Sequence, residues 1–413
     1  MRILFLCQYF PPEIGAPSAR TFEHAREWVR QGHDVLVVTG FPNHPTGVVP
    51  PEYRGRLFQR EEVEGIRVWR TWLWATPNEN FAKRTLSYVS FMISAILAAA
   101  LRRTRCDLVM ATSPQFFVAL AGYAVSRLKR RPFELEIRDL WPEGIVSVGL
   151  LDRDSPVTRF LERIELFLYR AADVVVTVTD GARDDIAARG IDPAKIVIVR
   201  NGADLSLFTP GPRDDAVRAQ FGVGDRFCVG YVGTHGMTQG LSTALEAAAR
   251  LQEKGRDDVC FLFVGEGAEK NKLVAEAAER ELANVIFVDA QPRERMPGIL
   301  CAGDACLVPL RKHKLFEGTI PSKLFEAMAS GRPVLLGIEG EAEKILTDAR
   351  AGIAFEPENA GALADAVERL ADDTELARRL GASGAAFVRT HFDRSQLALQ
   401  VLDAAARTLK GTP

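Results

Sequence analysis

The run Ile3-Leu4-Phe5-Leu6-Cys7, the loop Gln8-Tyr9-Phe10-Pro11-Pro12 with Gly15 beyond it, and the second run Asp34-Val35-Leu36-Val37-Val38 decide the fold. Continuous apolar runs of this length read as strands buried on both faces, as in parallel sheets. A helix is expected between them, near Arg20–Gln31. Strand, loop, helix, strand is how a doubly wound parallel sheet opens. Further strands are expected at Asp107–Ala111, Phe133–Ile137, Val174–Thr179 and Ile196–Arg200. The texture then changes over 201–222 to a turn-rich stretch, Asn201-Gly202-Ala203-Asp204 through Thr209-Pro210-Gly211-Pro212. After it the alternation restarts with Phe227–Tyr231, Cys260–Val264, Val285–Val288, Ala305–Val308 and Val334–Leu336. The expected architecture is therefore α/β, with two Rossmann-like domains, 1–200 and 223–390, joined by a 201–222 linker. An amphipathic helix within 391–413 (Leu397, Val401, Ala404, Leu409) ends the chain. Ligands of open α/β sheets bind beyond the carboxyl ends of the strands, so two such sheets facing each other would share a cleft.

Length supports two cores, since 413 residues exceed what a single hydrophobic core organises. With 47% hydrophobic and 26% charged residues the composition is that of a globular protein, not a disordered or collagenous one. The net charge of −2 gives no global basic field for nucleic acid. It conceals an asymmetry: residues 1–200 carry 27 basic and 23 acidic side chains, net +4, leaving the remainder at −6. The six cysteines (7, 106, 228, 260, 301, 306) form no Cys-x-x-Cys pair, and none stands at zinc spacing with histidine. Free thiols in a reducing cytoplasm are expected. The amino-terminal apolar run is too short for a signal peptide.

Thr85–Leu101 carries no charge. It barely reaches the ~17-residue minimum for crossing a bilayer. Ser87, Ser90 and Ser94 recur at helical spacing. Lys83 and Arg84 precede the stretch, Arg102, Arg103 and Arg105 follow it, and Arg127, Lys129, Arg130 and Arg131 form a second basic cluster. Two readings stay open: a helix packed on the core, or a helix lying on a membrane surface.

The segment with the most specific chemistry is Gly318-Thr319-Ile320-Pro321-Ser322-Lys323-Leu324-Phe325-Glu326. A loop leads into a helix beginning near Ser322. A helix amino terminus presents unpaired N–H groups and a partial positive charge, which suits phosphate. Lys323 adds a full charge in the first turn. Glu326, on the same face, can accept hydrogen bonds from a ribose diol. The competing reading makes Ser322 and Glu326 a helix cap, but Glu326 falls one position past the capping box.

Gly233-Thr234-His235-Gly236 follows a strand, where glycine lets the backbone approach a diphosphate. Val264-Gly265-Glu266-Gly267 is a weaker signal of the same kind. Asp139 and Glu143 flank Trp141 after the Phe133–Ile137 strand. A carboxylate there can take the proton of an acceptor hydroxyl, or simply pair with Arg138. His44 and His235 lie in proline- or glycine-rich loops, and lone histidines are more often structural. No metal ligand and no obligatory Mg²⁺ is expected. No Gly-x-Gly-x-x-Gly follows the first strand, which disfavours a dehydrogenase.

Gly15, Arg138-Asp139-Leu140-Trp141-Pro142-Glu143, Val199-Arg200-Asn201-Gly202-Ala203-Asp204, Tyr231-Val232-Gly233-Thr234-His235-Gly236 and Pro321-Ser322-Lys323-x-x-Glu326 occur in this order along nearly the whole chain. Together they resemble the family 4 retaining glycosyltransferases of GT-B fold. Within them the chain is most similar to bacterial members that transfer aminosugars (fucosamine or N-acetylhexosamine) in surface-polysaccharide assembly. The resemblance implies a UDP-sugar donor, no cofactor beyond that substrate, and transfer of an N-acetylated aminosugar to an acceptor hydroxyl with retention. It implies donor contacts at Gly15, Arg200, Gly233, Thr234, His235, Ala290, Thr319, Ile320, Pro321, Ser322 and Glu326, and catalytic roles for Lys323, Asp139 and Glu317. It further implies a lipid-linked acceptor and a site of action at the inner face of the plasma membrane. Two departures stand out. The family's first glutamate position falls on Gly318, with Glu317 one residue early. Gln239 stands where a phosphate-binding lysine is expected, leaving Lys323, helix termini and Arg200 or Arg311 to meet the phosphate. A UDP-sugar 2-epimerase on the same fold and a non-catalytic nucleotide-sugar-binding subunit are the alternatives.

Overall fold

In the computed structural model the described residues are 1–13, 15–44, 47–76, 81–102, 104–113, 116–147 and 151–411. The chain divides into two compact units, Met1–Arg200 with Arg394–Pro413, and Asn201–Asp393.

The first unit is built on β1 (Arg2–Leu6), β2 (Asp34–Gly40), β3 (Phe58–Val63), β4 (Ile66–Thr71), β5 (Leu108–Thr112), β6 (Phe133–Ile137), β7 (Val174–Thr177) and β8 (Ile196–Ile198). Their order in the sheet is β3-β4-β2-β1-β5-β6-β7-β8. All neighbours run parallel except the β3–β4 hairpin. That hairpin escapes sequence reading because β3, Phe-Gln-Arg-Glu-Glu-Val, is an edge strand rich in charge. The helix after β1 spans Ala16–Arg30, starting earlier than expected because Gly15, at φ 140°, ends the loop at once. The carboxy-terminal helix, Arg394–Gly411, packs on this unit. Trp28 Nε1 donates to the Ala398 carbonyl (2.8 Å), and Glu23 pairs with Arg394 at 2.9 Å out of water. Leu397, Val401 and Leu402 are buried beside Phe5 and Val37. Each such side chain contributes roughly 1.5–3 kcal/mol of transfer free energy.

The second unit carries β9 (Phe227–Val232), β10 (Val259–Val264), β11 (Val285–Val288), β12 (Ala305–Pro309), β13 (Val334–Gly337) and β14 (Gly352–Ala354), in the order β11-β10-β9-β12-β13-β14, all parallel. The 201–222 stretch, expected as a link, folds into this unit. Phe208 is buried, and Asp214 caps a helix at Asp215–Phe221. Arg218 is sealed against Asp304 and the Ala302 carbonyl. A turn-rich composition concealed these anchors, since a single arginine and a single phenylalanine carry no periodicity. All six cysteines are buried free thiols.

The uncharged stretch lies in the helix Phe81–Leu101. One of its faces, Phe91, Ala95 and Ala99, belongs to the core. The half-buried serines hold the neighbouring segment: Ser90 Oγ accepts from the Trp74 amide (2.8 Å), and Ser94 Oγ donates to the Trp72 carbonyl (2.5 Å). The opposite face is apolar and exposed, with Leu86, Ile93, Leu97 and Leu101 at 42, 50, 51 and 76% exposure.

Candidate functional site

Each sheet has one place where successive connections leave in opposite directions: between β9 and β12 in the second unit, and between β1 and β5 in the first. Such switch points are where open α/β sheets hold ligands.

At the β9/β12 switch point the helix Ser322–Ala329 begins with Pro321 in the capping position and no side-chain cap. Ser322 therefore does not cap, and the first-turn amides keep their affinity for an anion. Asn201 Nδ2 donates to the Ile320 carbonyl (3.3 Å), which fixes the approach through Thr319, Ile320 and Pro321. Lys323 stands over the Tyr231 ring, 4.1 Å from its centroid. Its Nζ donates to the Tyr231 hydroxyl (2.8 Å) and to Gln239 Oε1 (3.1 Å). Tyr231 in turn donates to the Thr234 carbonyl (2.6 Å). Among the described residues no carboxylate lies within ion-pair distance of Lys323. Burial pushes its pKa down to about 7, against the opposing pull of Glu326.

Gly233 adopts φ 145°, and a side chain there would stand 3.1 Å from Lys323 Nζ. Gly265, at φ 152°, presses on the Gly233 carbonyl so closely that a Cβ would lie 1.9 Å from it. These two glycines let the loops after β9 and β10 nest. His235 is wholly buried among Tyr231, Phe263 and Phe287. Its main chain ties the loops together, donating to Glu266 and accepting from Glu269 (both 2.9 Å). Its ring nitrogens have no partner, and burial lowers its pKa to about 4, so the ring is neutral. His235 thus shapes the loop from beneath. Thr234 and Ala290 are exposed at the strand ends. Arg311 is loosely paired with Glu269 at 3.7 Å.

Lys323 and Glu326 line one pocket with Gly230, Val232, Cys306 and Val308. Glu326 faces Arg293 at 3.7 Å. Glu317 is not brought to them. It lies in the turn Lys314–Gly318 and lines a separate acidic pocket with Glu339, Glu343 and Glu356. Its backbone is fixed there by close packing against Gly340.

At the β1/β5 switch point the loop after β1 is organised by Glu13, which sequence reading missed. Its carboxyl accepts from the amides of Phe10 (3.3 Å), Asn43 and His44 (both 2.9 Å), and burial raises its pKa to about 7. His44 packs its ring on Tyr9. Gly15 caps the helix Ala16–Arg30 without a side chain. Arg200 is engaged by Asp180, and its carbonyl accepts from Arg20 (3.0 Å). Asp139 is exposed; of its two readings, the salt bridge with Arg138 is not formed as a close ion pair among the described residues, although the Arg138 charge acts on its carboxyl.

Comparison with known proteins follows this geometry. Residues 213–387 match the family model described as "Glycosyl transferases group 1", and residues 15–202 match the "Glycosyl transferase 4-like domain". The Escherichia coli (strain K12) protein WcaI, named for glycosyl transfer in colanic acid biosynthesis, is 28% identical over 372 residues, covering 88% of this chain and 90% of its own. Sucrose-phosphate synthase from Thermosynechococcus elongatus superposes with a TM-score of 0.79 at 20% identity, over 100% of both chains. Anabaena Alr3699/HepE, in complex with UDP and glucose, superposes with 0.73 at 19% identity, also over 100% of both. The two parallel sheets are those of the GT-B fold.

Proposed function

Because the chain belongs to the group 1 glycosyltransferases of family 4, retaining enzymes that transfer a sugar from a nucleotide donor, we propose that its donor is a UDP-sugar held at the β9/β12 switch point. One observation carries this reading: Lys323 is a half-buried ammonium, held by two neutral groups at an uncapped helix terminus, with no carboxylate within ion-pair distance among the described residues. Such a cation fits a diphosphate. As the glycosidic bond to phosphate breaks, negative charge grows on the leaving oxygen, and fixed donors aimed at it lower the barrier. Glu326, in the same pocket as Lys323, would accept from the ribose hydroxyls. Glu317 lies outside this pocket, so our reading assigns the chemistry to Lys323 and to the departing phosphate oxygen, with attack on the same face. Asp139, exposed at the strand end, is the group left to take the acceptor proton. A thermal-shift comparison of UDP-, GDP- and TDP-sugars tests the donor. A ligand at 100 times its Kd should add about 2.7 kcal/mol. Glu326→Gln should reduce the UDP-sugar shift, and an undiminished shift would leave Glu326 without a role in donor binding.

The transferred group is proposed to be an N-acetylated aminosugar and the acceptor a lipid-linked sugar at the inner face of the plasma membrane, in polysaccharide assembly. The naming of WcaI for colanic acid biosynthesis supports the pathway class. The helix Phe81–Leu101 supports the location. Leu86, Ile93, Leu97 and Leu101 form an outward stripe interrupted by Ser90, and Trp72 and Trp74 are exposed beside it. Lys83 is exposed at one end and Arg105 at the other. Arg102 is committed to the Phe58 ring, and Arg103 lies outside the described residues. An apolar stripe with cationic ends suits an anionic bilayer surface, where each basic residue contributes about 1 kcal/mol. The full chain should float with vesicles containing anionic lipid at low salt, and Ile93→Asp with Leu97→Asp should keep it in the soluble fraction. Flotation unchanged by that pair would exclude this helix as the contact.

A further inference from the structure

At the β1/β5 switch point a guanidinium keeps hydrogen-bond donors that no described residue uses. Arg138 follows β6 and turns its guanidinium into a small pocket with Gln8, Tyr9, Thr112 and Ser113. Its amide donates to Ser113 Oγ (2.8 Å), but Nε and Nη1 are sealed from solvent and have no hydrogen-bond partner. The nearest buried carboxylate, Glu136, is consumed. Arg20 Nε reaches its Oε1 at 2.9 Å, and Thr112 donates to its Oε2. Asp139, next in the chain, is exposed; its charge favours the guanidinium, but among the described residues it makes no hydrogen bond or close ion pair with it. Glu13, the other carboxyl of this loop, is saturated by three amides. Pro17, in the first turn of the helix Ala16–Arg30, lines the same pocket, so the positive end of that helix dipole adds to the charge. Gln8 Oε1, of the same pocket, is sealed too and has no hydrogen-bond partner among the described residues.

A buried guanidinium with idle donors costs several kcal/mol unless an anion arrives. Its planar fork matches phosphate oxygens two at a time. We propose that this pocket binds a phosphoryl group of the acceptor, with Arg138 as its main ligand and the Gln8 amide accepting from an adjoining hydroxyl. The inference rests on the transferase reading above, and it narrows the acceptor to a phosphorylated sugar.

The test must separate this pocket from the donor site. Full-length protein is first saturated with UDP, then titrated with inorganic phosphate, with calorimetry as the readout. Phosphate should still bind, and Arg138→Gln should weaken it roughly tenfold or more, the size expected for one charge-assisted contact. UDP affinity in that variant should stay within about twofold, while Arg138→Lys should restore much of the phosphate binding. Glucose 1-phosphate and vesicles carrying phosphatidic acid then distinguish a soluble from a lipid-borne phosphoryl group, according to which of them loses affinity in Arg138→Gln. Phosphate that binds only when UDP is absent, or that binds Arg138→Gln as well as the parent, overturns the proposal. A parallel loss of UDP affinity would make Arg138 a structural residue and overturn it too. Failure of UDP itself to bind the parent would instead strike the donor reading.

Discussion

Replacing Lys323 with alanine is expected to lower kcat by about two to three orders of magnitude while changing KM for the donor much less. Lys323 can serve two states. In the ground state it meets a diphosphate whose charge is spread over several oxygens. In the transition state charge concentrates on the oxygen that leaves the anomeric carbon. An ammonium already oriented by Tyr231 and Gln239 does not reorganise as this happens, so its contribution is larger when the bond is breaking. Steady-state kinetics with a UDP-sugar decide the matter. A variant that loses only donor affinity would make Lys323 a binding residue, and full activity would remove it from the mechanism. Tyr231→Phe should give a smaller loss of the same kind, because it frees the ammonium without removing it.

The doubly wound halves were legible because most parallel strands are written as apolar runs, and even β6, with Glu134 and Glu136 in it, keeps its other positions apolar. Phe133–Ile137 and Val285–Val288 match their strands residue for residue. The hairpin partner β3 was not legible, since an edge strand need not be apolar. The Lys323 and Glu326 pocket was visible because helix-terminus chemistry is local in sequence. Its supports were not. Tyr231, Gln239 and Asn201 reach it from as far as 92, 84 and, at the Ile320 carbonyl, 119 residues away. Arg138 shows the same boundary. Its place after β6 was readable, but that Glu136 is spent on Arg20 and Thr112 follows only from packing. The serines of the Phe81–Leu101 helix were readable as a stripe, and only the fold reveals that Ser90 and Ser94 are spent on the main chain of Trp74 and Trp72.

The depressed pKa of Lys323 predicts two opposite pH dependences from one group. Burial disfavours its charged form and brings its pKa to about 7, against 10.5 for an ordinary lysine. Between these values the unfolded chain binds more protons than the folded one. The ligand-free protein should therefore gain stability from this group as pH rises from about 7 towards 10.5, and the gain should be absent below 7. Donor binding runs the other way. A diphosphate needs the ammonium, so above pH 7 binding must first recover a proton. A UDP-sugar is the right probe, because its diphosphate, blocked at both ends, has no proton to lose in this range. Its affinity should be level below pH 7 and fall by about tenfold per pH unit above it, until the raised pKa of the complex is reached. Calorimetry in buffers of different ionisation enthalpy should register close to one proton taken up per donor bound at pH 8. Lys323→Met should abolish both the slope and the uptake. A level affinity from pH 6 to 9 in the parent would show that the ammonium is not what the diphosphate meets. A slope that survives in Lys323→Met would assign the titration to another group.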